Sequence, residues 1–202
     1  MLRPQYWKKT LGAALLLGAF AGQAFAAGSV LSVQSSPTPG VLGSNVSVDV
    51  LISGISDLYG YQFSLSFDPA LLHFSSASEG TFLSSGGTTY WDGGGVDNSL
   101  GQISFTFNSL IGAIPGVSGD GVLARFNFQV TGVGTSALNF SDVLLLNSQL
   151  AELPVQITNG SLSTVNAVPE PSTWLMLGAG LAGLGFVRAR AGGKSQAEAT
   201  SV

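Results

Sequence analysis

The amino-acid sequence predicts an all-β protein, an antiparallel β-sandwich set between two apolar terminal segments, and three observations predict it. Large apolar residues alternate with small polar ones in several short runs, a period of two that gathers one set on a single face of a strand. Gly, Ser, Asn and Asp punctuate those runs at roughly ten-residue intervals, the turn spacing of a sandwich. No stretch between the terminal segments carries a convincing helical period.

The first 26 residues read as a signal peptide. Arg3, Lys8 and Lys9 precede the apolar run 11–22, and Ala24-Phe25-Ala26 supplies the small-x-small site, so cleavage by signal peptidase is expected after Ala26. A retained N-terminal anchor is the alternative. Residues 27–167 then form one domain, long enough to bury a core. Strands are expected at 31–34, 46–52, 61–67, 72–75, 90–91, 102–108, 124–130, 138–140, 143–146 and 157–165. In 61–67 the inner set is Phe63, Leu65 and Phe67. In 102–108 it is Ile103, Phe105 and Phe107, with Ser104 and Thr106 outward, and in 124–130 it is Ala124, Phe126, Phe128 and Val130, against Arg125, Asn127 and Gln129. Asp68-Pro69-Ala70-Leu71-Leu72 reads as a short helical turn between strands. Asp68 can accept from the N–H groups that follow, and Pro69 suits a first position that needs no donor.

The C-terminal segment 168–190 orders three parts: Pro169-Glu170-Pro171, an uncharged apolar stretch 173–187, then Arg188 and Arg190. As a helix the apolar stretch would span ~22 Å at ~1.5 Å per residue, short of a hydrocarbon core of ~30 Å. Gly178, Gly180, Gly183 and Gly185 each weaken it by roughly 1 kcal/mol relative to Ala. The basic residues at both ends place the domain outside the membrane, with residues 191–202 as a cytoplasmic tail.

Charge excludes one class of partner. The domain carries Asp49, Asp57, Asp68, Glu79, Asp92, Asp97, Asp120, Asp142 and Glu152 against Arg125 alone, a formal −8 that the whole-chain −4 hides. Phosphate backbones would be repelled, so no nucleic acid is expected. With no cysteine there is no disulfide or thiolate chemistry, and the exported domain must hold together by packing. Catalysis is not expected: His73 is the single histidine, no Gly-x-Ser-x-Gly elbow occurs, and one His cannot make a zinc set. Asp92 and Asp97, on the Gly-rich stretch 92–98, are the one weak Ca²⁺ candidate, oxygen ligands without EF-hand spacing, and a solvated loop is the competing reading. Tyr90 and Trp91 beside it are a candidate ligand platform for a sugar ring, unless packing into the sandwich claims one of them.

Two resemblances stand on these residues. Pro169-Glu170-Pro171, the segment 173–187, Arg188 and Arg190 closely resemble the PEP-CTERM sorting signal. That implies export, a short transmembrane helix, recognition and cleavage by an exosortase, and delivery to the cell surface or extracellular matrix. The stretch 59–72, with its strand ending in Phe67-Asp68-Pro69, together with 119–128 and 159–162, resembles cohesin domains. That implies a jelly-roll sandwich of about nine strands, a fold that binds dockerin modules and is shared with carbohydrate-binding modules. The expectation is a non-catalytic binding or structural protein that recognises a surface protein or glycan; the alternative is a carbohydrate-binding module acting on extracellular polysaccharide.

Overall fold

The computed structural model describes residues 28–168 and 171–192. Among them are strands β1 (Val30–Ser36), β2 (Gly40–Val41), β3 (Asn45–Ser66), β4 (Leu72–Glu79), β5 (Thr89–Asp92), β6 (Gly95–Asp97), β7 (Gln102–Leu110), β8 (Val117–Val130), β9 (Gly134–Asn147), β10 (Gln156–Thr158) and β11 (Gly160–Val165). Two helices join them, α1 (Thr81–Ser84) and α2 (Pro171–Gly192). The residues that read as a signal peptide, Ala24 and Ala26 among them, lie outside the described residues, as do Pro169 and Glu170.

The pairings resolve into two ladders that share β3, which runs for 22 residues. Its first half lies between β1 and β8, extended to β10 on one flank and β4 on the other. Its second half lies between β7 and β9, with β5 and β6 beyond β7 and with β11 and β2 beyond β9. The crossing between ladders falls where Gly54 and Asp57 take φ of 64° and 59°, a left-handed bend that glycine adopts without strain and aspartate tolerates better than most residues.

Apolar side chains from the two ladders meet in between. Phe63 meets Phe126 edge-on at 6.1 Å, and Phe67 meets Phe128 at 5.0 Å. Phe63, Phe126 and Phe128 are at most 1% exposed. Burying each contributes ~1.5–3 kcal/mol, and edge-to-face ring contacts add ~0.5–1.5 kcal/mol. The expected inner sets of 61–67 and 124–130 face this core, with Arg125, Asn127 and Gln129 outside it. The Asp68 turn also forms: Ala70 N–H donates to its carboxylate at 2.9 Å and Leu72 N–H to its carbonyl at 3.0 Å.

Four expectations are corrected. The strands foreseen at 46–52 and 61–67 are one continuous strand, as are 138–140 and 143–146. The closing strand 157–165 is instead two, β10 and β11, which pair with different ladders and bring parallel pairings, β10 with β1 and β2 with β11, into an otherwise antiparallel structure. Two short strands that the sequence did not predict, β2 and β6, bring the total to eleven, against about nine expected. Residues 81–84, in a region without a convincing helical period in the sequence, form α1, which buries Phe82 and Leu83. The largest correction concerns Phe105, Phe107 and Thr106. Ile103 is buried, yet Phe105 is 57% exposed, Phe107 is half-buried and Thr106 is 0% exposed. A bulge causes this: Phe105 sits at φ 54°, and Phe63 and Leu65 of β3 pair with Thr106 and Ile103 of β7, three residues against two. One extra residue on a strand turns every later side chain to the opposite face.

Helix α2 forms where the apolar C-terminal stretch was foreseen, with Leu175, Met176, Leu177, Leu181 and Leu184 exposed. Among the described residues no helix is long and apolar enough to cross a membrane, so the transmembrane reading of 173–187 finds no support in the helix itself.

Candidate binding face

The β7 bulge turns apolar side chains onto the outer face of the sheet. Beyond it, Phe107 and Ser109 point away from the core while Asn108 and Leu110 point inward. Two rows of outward side chains then cross four strands. Tyr90, Ser109, Gly60 and Leu146 are successive partners in one row, and Asp92, Phe107, Gln62 and Leu144 in the next. The Tyr90 and Phe107 rings lie 5.7 Å apart, tilted by 35°. Between β7, β3 and β9 the rows leave a cleft of about 180 Å³, whose lining includes Tyr59, Gln62, Phe107, Leu144, Leu146 and Leu150. A second bulge, with Asp142 at φ 52°, sets β9 in register on the other side of Ser64. Ser64 is thereby 1% exposed although it points outward, and its hydroxyl accepts from Phe105 N–H at 3.1 Å.

Polar groups behind the sheet hold this face in place. Asn108, 1% exposed, donates from Nδ2 to Glu79 Oε1 at 2.8 Å, and Thr89 Oγ1 donates to the same oxygen at 2.8 Å. Thr106 Oγ1 donates to Gly93 O at 3.1 Å. Tyr61 donates its phenol hydrogen to Leu123 O on the opposite layer, and burial pushes its pKa far above the ordinary phenol value. These bonds tie β4 to β5 and β7 and tie β8 to β3, so the outer rows rest on a fixed frame.

Leu150, 66% exposed, overhangs the cleft from the turn after β9. Asn147 Oδ1 shapes that turn by accepting Gln149 N–H and Ala151 N–H, both at 2.9 Å. Asp57 anchors it. Its carboxylate accepts Ser148 Oγ–H at 2.8 Å, Gly116 N–H at 2.7 Å and Ser148 N–H at 3.2 Å. The Ser148 hydroxyl, then the Gly116 amide, hold the Asp57 pKa below the usual carboxylate range.

The structure separates the sequence-derived site residues. Tyr90 stands on the outer face, 60% exposed, whereas Trp91 points inward opposite Asn108 and packs against the core. Neighbours on a strand face opposite ways, so the two rings do not share a platform. Asp92 Oδ1 accepts Gly94 N–H, and Asp97 Oδ1 accepts Ser99 and Leu100 N–H, so each closes its own turn. Among the described residues no three acidic or histidine side chains gather around a point. His73 is exposed opposite Gln129 on β4. Arg188 is exposed on α2. Phe107, Leu144, Leu146 and Leu150 were missed. One signal was present: Leu144-Leu145-Leu146 within a strand must send at least one leucine away from the core.

The described residues form a two-layer β-sandwich that offers an exposed apolar sheet face. The cohesin domain family matches residues 31–164 and the PEP-CTERM protein-sorting motif matches 167–190. The chain belongs to the cohesin family and carries that motif at its C-terminal end. Cohesin domains are binding modules, and the motif marks a secreted cell-surface protein processed by an exosortase. Among solved structures, the second type II cohesin module of the ScaA scaffoldin of Acetivibrio cellulolyticus matches with a TM-score of 0.58 at 17% identity, over 72% of this chain and 95% of that one. The sixth cohesin of scaffoldin B from the same organism, solved with a Cel5 dockerin, gives 0.56 at 24% identity, over 68% and 99%. A non-cellulosomal cohesin of the archaeon Archaeoglobus fulgidus gives 0.54 at 19%, over 69% and 92%. No curated protein matches the chain.

Proposed function

We propose that this protein is a non-catalytic recognition module, sorted by an exosortase to the cell surface or the extracellular polysaccharide matrix, that captures a partner protein on the outer face of β5, β7, β3 and β9. The observation that carries this reading is the cleft between Phe107, Gln62, Leu144, Leu146 and Leu150, an apolar surface open to solvent. Interface cores favour aromatic and aliphatic anchors with few charges, and this face has that composition. The scaffoldin B cohesin, solved with its dockerin, supports a protein as the ligand class. The C-terminal helix engages the membrane during sorting and leaves with the cleaved segment.

A carbohydrate ligand is the second reading. Tyr90, exposed beside Asp92 with Phe107 behind it, offers a ring for stacking and a carboxylate for hydroxyl groups. Binding of the secreted form to a dockerin panel and to purified exopolysaccharide, with Leu150→Asp and Tyr90→Ala variants, tests both. Leu150→Asp is expected to abolish protein capture with the melting temperature unchanged. Retained polysaccharide binding that Tyr90→Ala removes would replace the first reading with the second.

A further inference from the structure

The end of the sandwich from which the sorting segment departs differs from the rest of the domain. β11 finishes at Val165, whose carbonyl accepts Leu42 N–H at 2.8 Å, and β2 pairs alongside it. The loop between β8 and β9 joins them, since Thr164 Oγ1 donates to Gly132 O at 2.9 Å. Val41, Leu42, Val133 and Val165 stand here, 37–47% exposed, and Val168 follows at 84%. The contributing segments 37–45, 130–136 and 160–168 hold no charged residue, in a domain of formal charge −8. Two acids lie at this end outside these segments: Asp68, whose N–H donates to Ser136 Oγ and whose carboxylate is held by the Ala70 amide, and Asp97, on the far edge of the sheet across β7 from Ser66. Asp57, Asp120 and Glu152 belong to the opposite end, where β3 crosses between ladders and β9 terminates.

Chain length fixes what this end must approach. Only residues 166–170 separate the last paired residue of β11 from the first residue of α2. Fully extended, the link from Val165 to Pro171 reaches at most about 20 Å at ~3.3–3.6 Å per residue. The headgroup layer occupies ~5–8 Å of that on each side of a bilayer. An acidic body held so close to an anionic membrane would be repelled if its charged end faced inward.

We propose that the apolar rim built by these three uncharged segments is a membrane-facing surface: while α2 is engaged by the bilayer, Val41, Leu42, Val133 and Val165 rest in the lipid headgroup layer. This placement keeps the Pro-Glu-Pro link close to the bilayer and within reach of a membrane-embedded protease, with the opposite end and the cleft turned to the outside. It rests on the sorting reading given above, and its ligand is the lipid surface itself.

The absence of cysteine makes the test direct. Single Leu42→Cys, Val133→Cys and Gln149→Cys variants of the full chain, each bearing an environment-sensitive fluorophore, are reconstituted into phosphatidylethanolamine–phosphatidylglycerol vesicles containing a lipid-borne quencher. Labels at 42 and 133 should shift to the blue and be quenched, and the label at 149, at the far end, should do neither. A Leu42→Asp/Val133→Asp variant, altered only at exposed positions, should float with vesicles and melt as the parent does, yet leave a label at Val165→Cys unquenched. Equal, water-like emission at all three positions on vesicle-bound protein overturns the proposal and leaves the sorting reading intact. Shielding without quenching, from a second copy or from added exosortase, also overturns it. Failure of the parent chain to float with vesicles overturns the sorting reading, and this surface with it.

Discussion

Phe105→Ala separates the bulged β7 from a regular one. In a regular strand Phe105 would be a core residue like Phe63, and truncation of a buried Phe costs ~3–5 kcal/mol because a cavity remains. In this structure Phe105 is 57% exposed, so somewhat less than half of the ~1.5–3 kcal/mol for full burial is at stake. Water fills the space, so no cavity term applies. The expected loss is about 1 kcal/mol, a fall in melting temperature of roughly 3–4 °C for a domain of this size. Phe105→Gly should recover part of that loss, since φ of 54° strains a side chain by ~1–2 kcal/mol, while glycine adds ~0.5–1 kcal/mol of unfolded-state entropy. Urea unfolding of the secreted form, followed by far-UV circular dichroism, measures all three variants with Phe63→Ala as reference. A Phe105→Ala loss as large as that of Phe63→Ala would refute the bulged register and the outward placement of Phe107 that depends on it.

Three further outcomes are expected. Asp57→Ala should lower stability at neutral pH and free the turn carrying Leu150, with Asp57→Asn milder because Asn tolerates the same left-handed backbone. Its folded-state pKa is depressed, so its contribution is present above the unfolded value near ~3.9 and is lost as the pH falls through the folded one; the mutant and parent melting curves should therefore converge in acid, and a constant gap at every pH would refute it. Gly80→Ala should destabilise by roughly 1–3 kcal/mol, because a Cβ there would lie 2.1 Å from Val122 O; chemical denaturation reads the loss, and a neutral result would mean α1 does not press on β8. Asp49→Ala should cost only ~0.2–1 kcal/mol despite its two-point contact with Arg125 at 2.6 and 2.7 Å, since the guanidinium side chain is 51% exposed and water competes for both ends; the loss should shrink with added salt.

Sequence by itself determined the layered β architecture, the acidity of the domain, its lack of disulfides and the order of the sorting segments, because each follows from composition or from local alternation. Phe63, Leu65 and Phe67, and likewise Phe126 and Phe128, were legible because their strands stay regular and a period of two then names the buried face. Phe105 and Phe107 were not. A bulge is set by where a strand's partners lie, and the partner of β7 is a strand some forty residues away whose register no local pattern encodes. Tyr90 and Trp91 part by plain alternation along β5, whereas Phe107 meets Leu144, Leu146 and Leu150 from two segments far apart in the chain. Tertiary structure alone decided the candidate face, because that face exists only where two bulges turn side chains outward around a shared central strand.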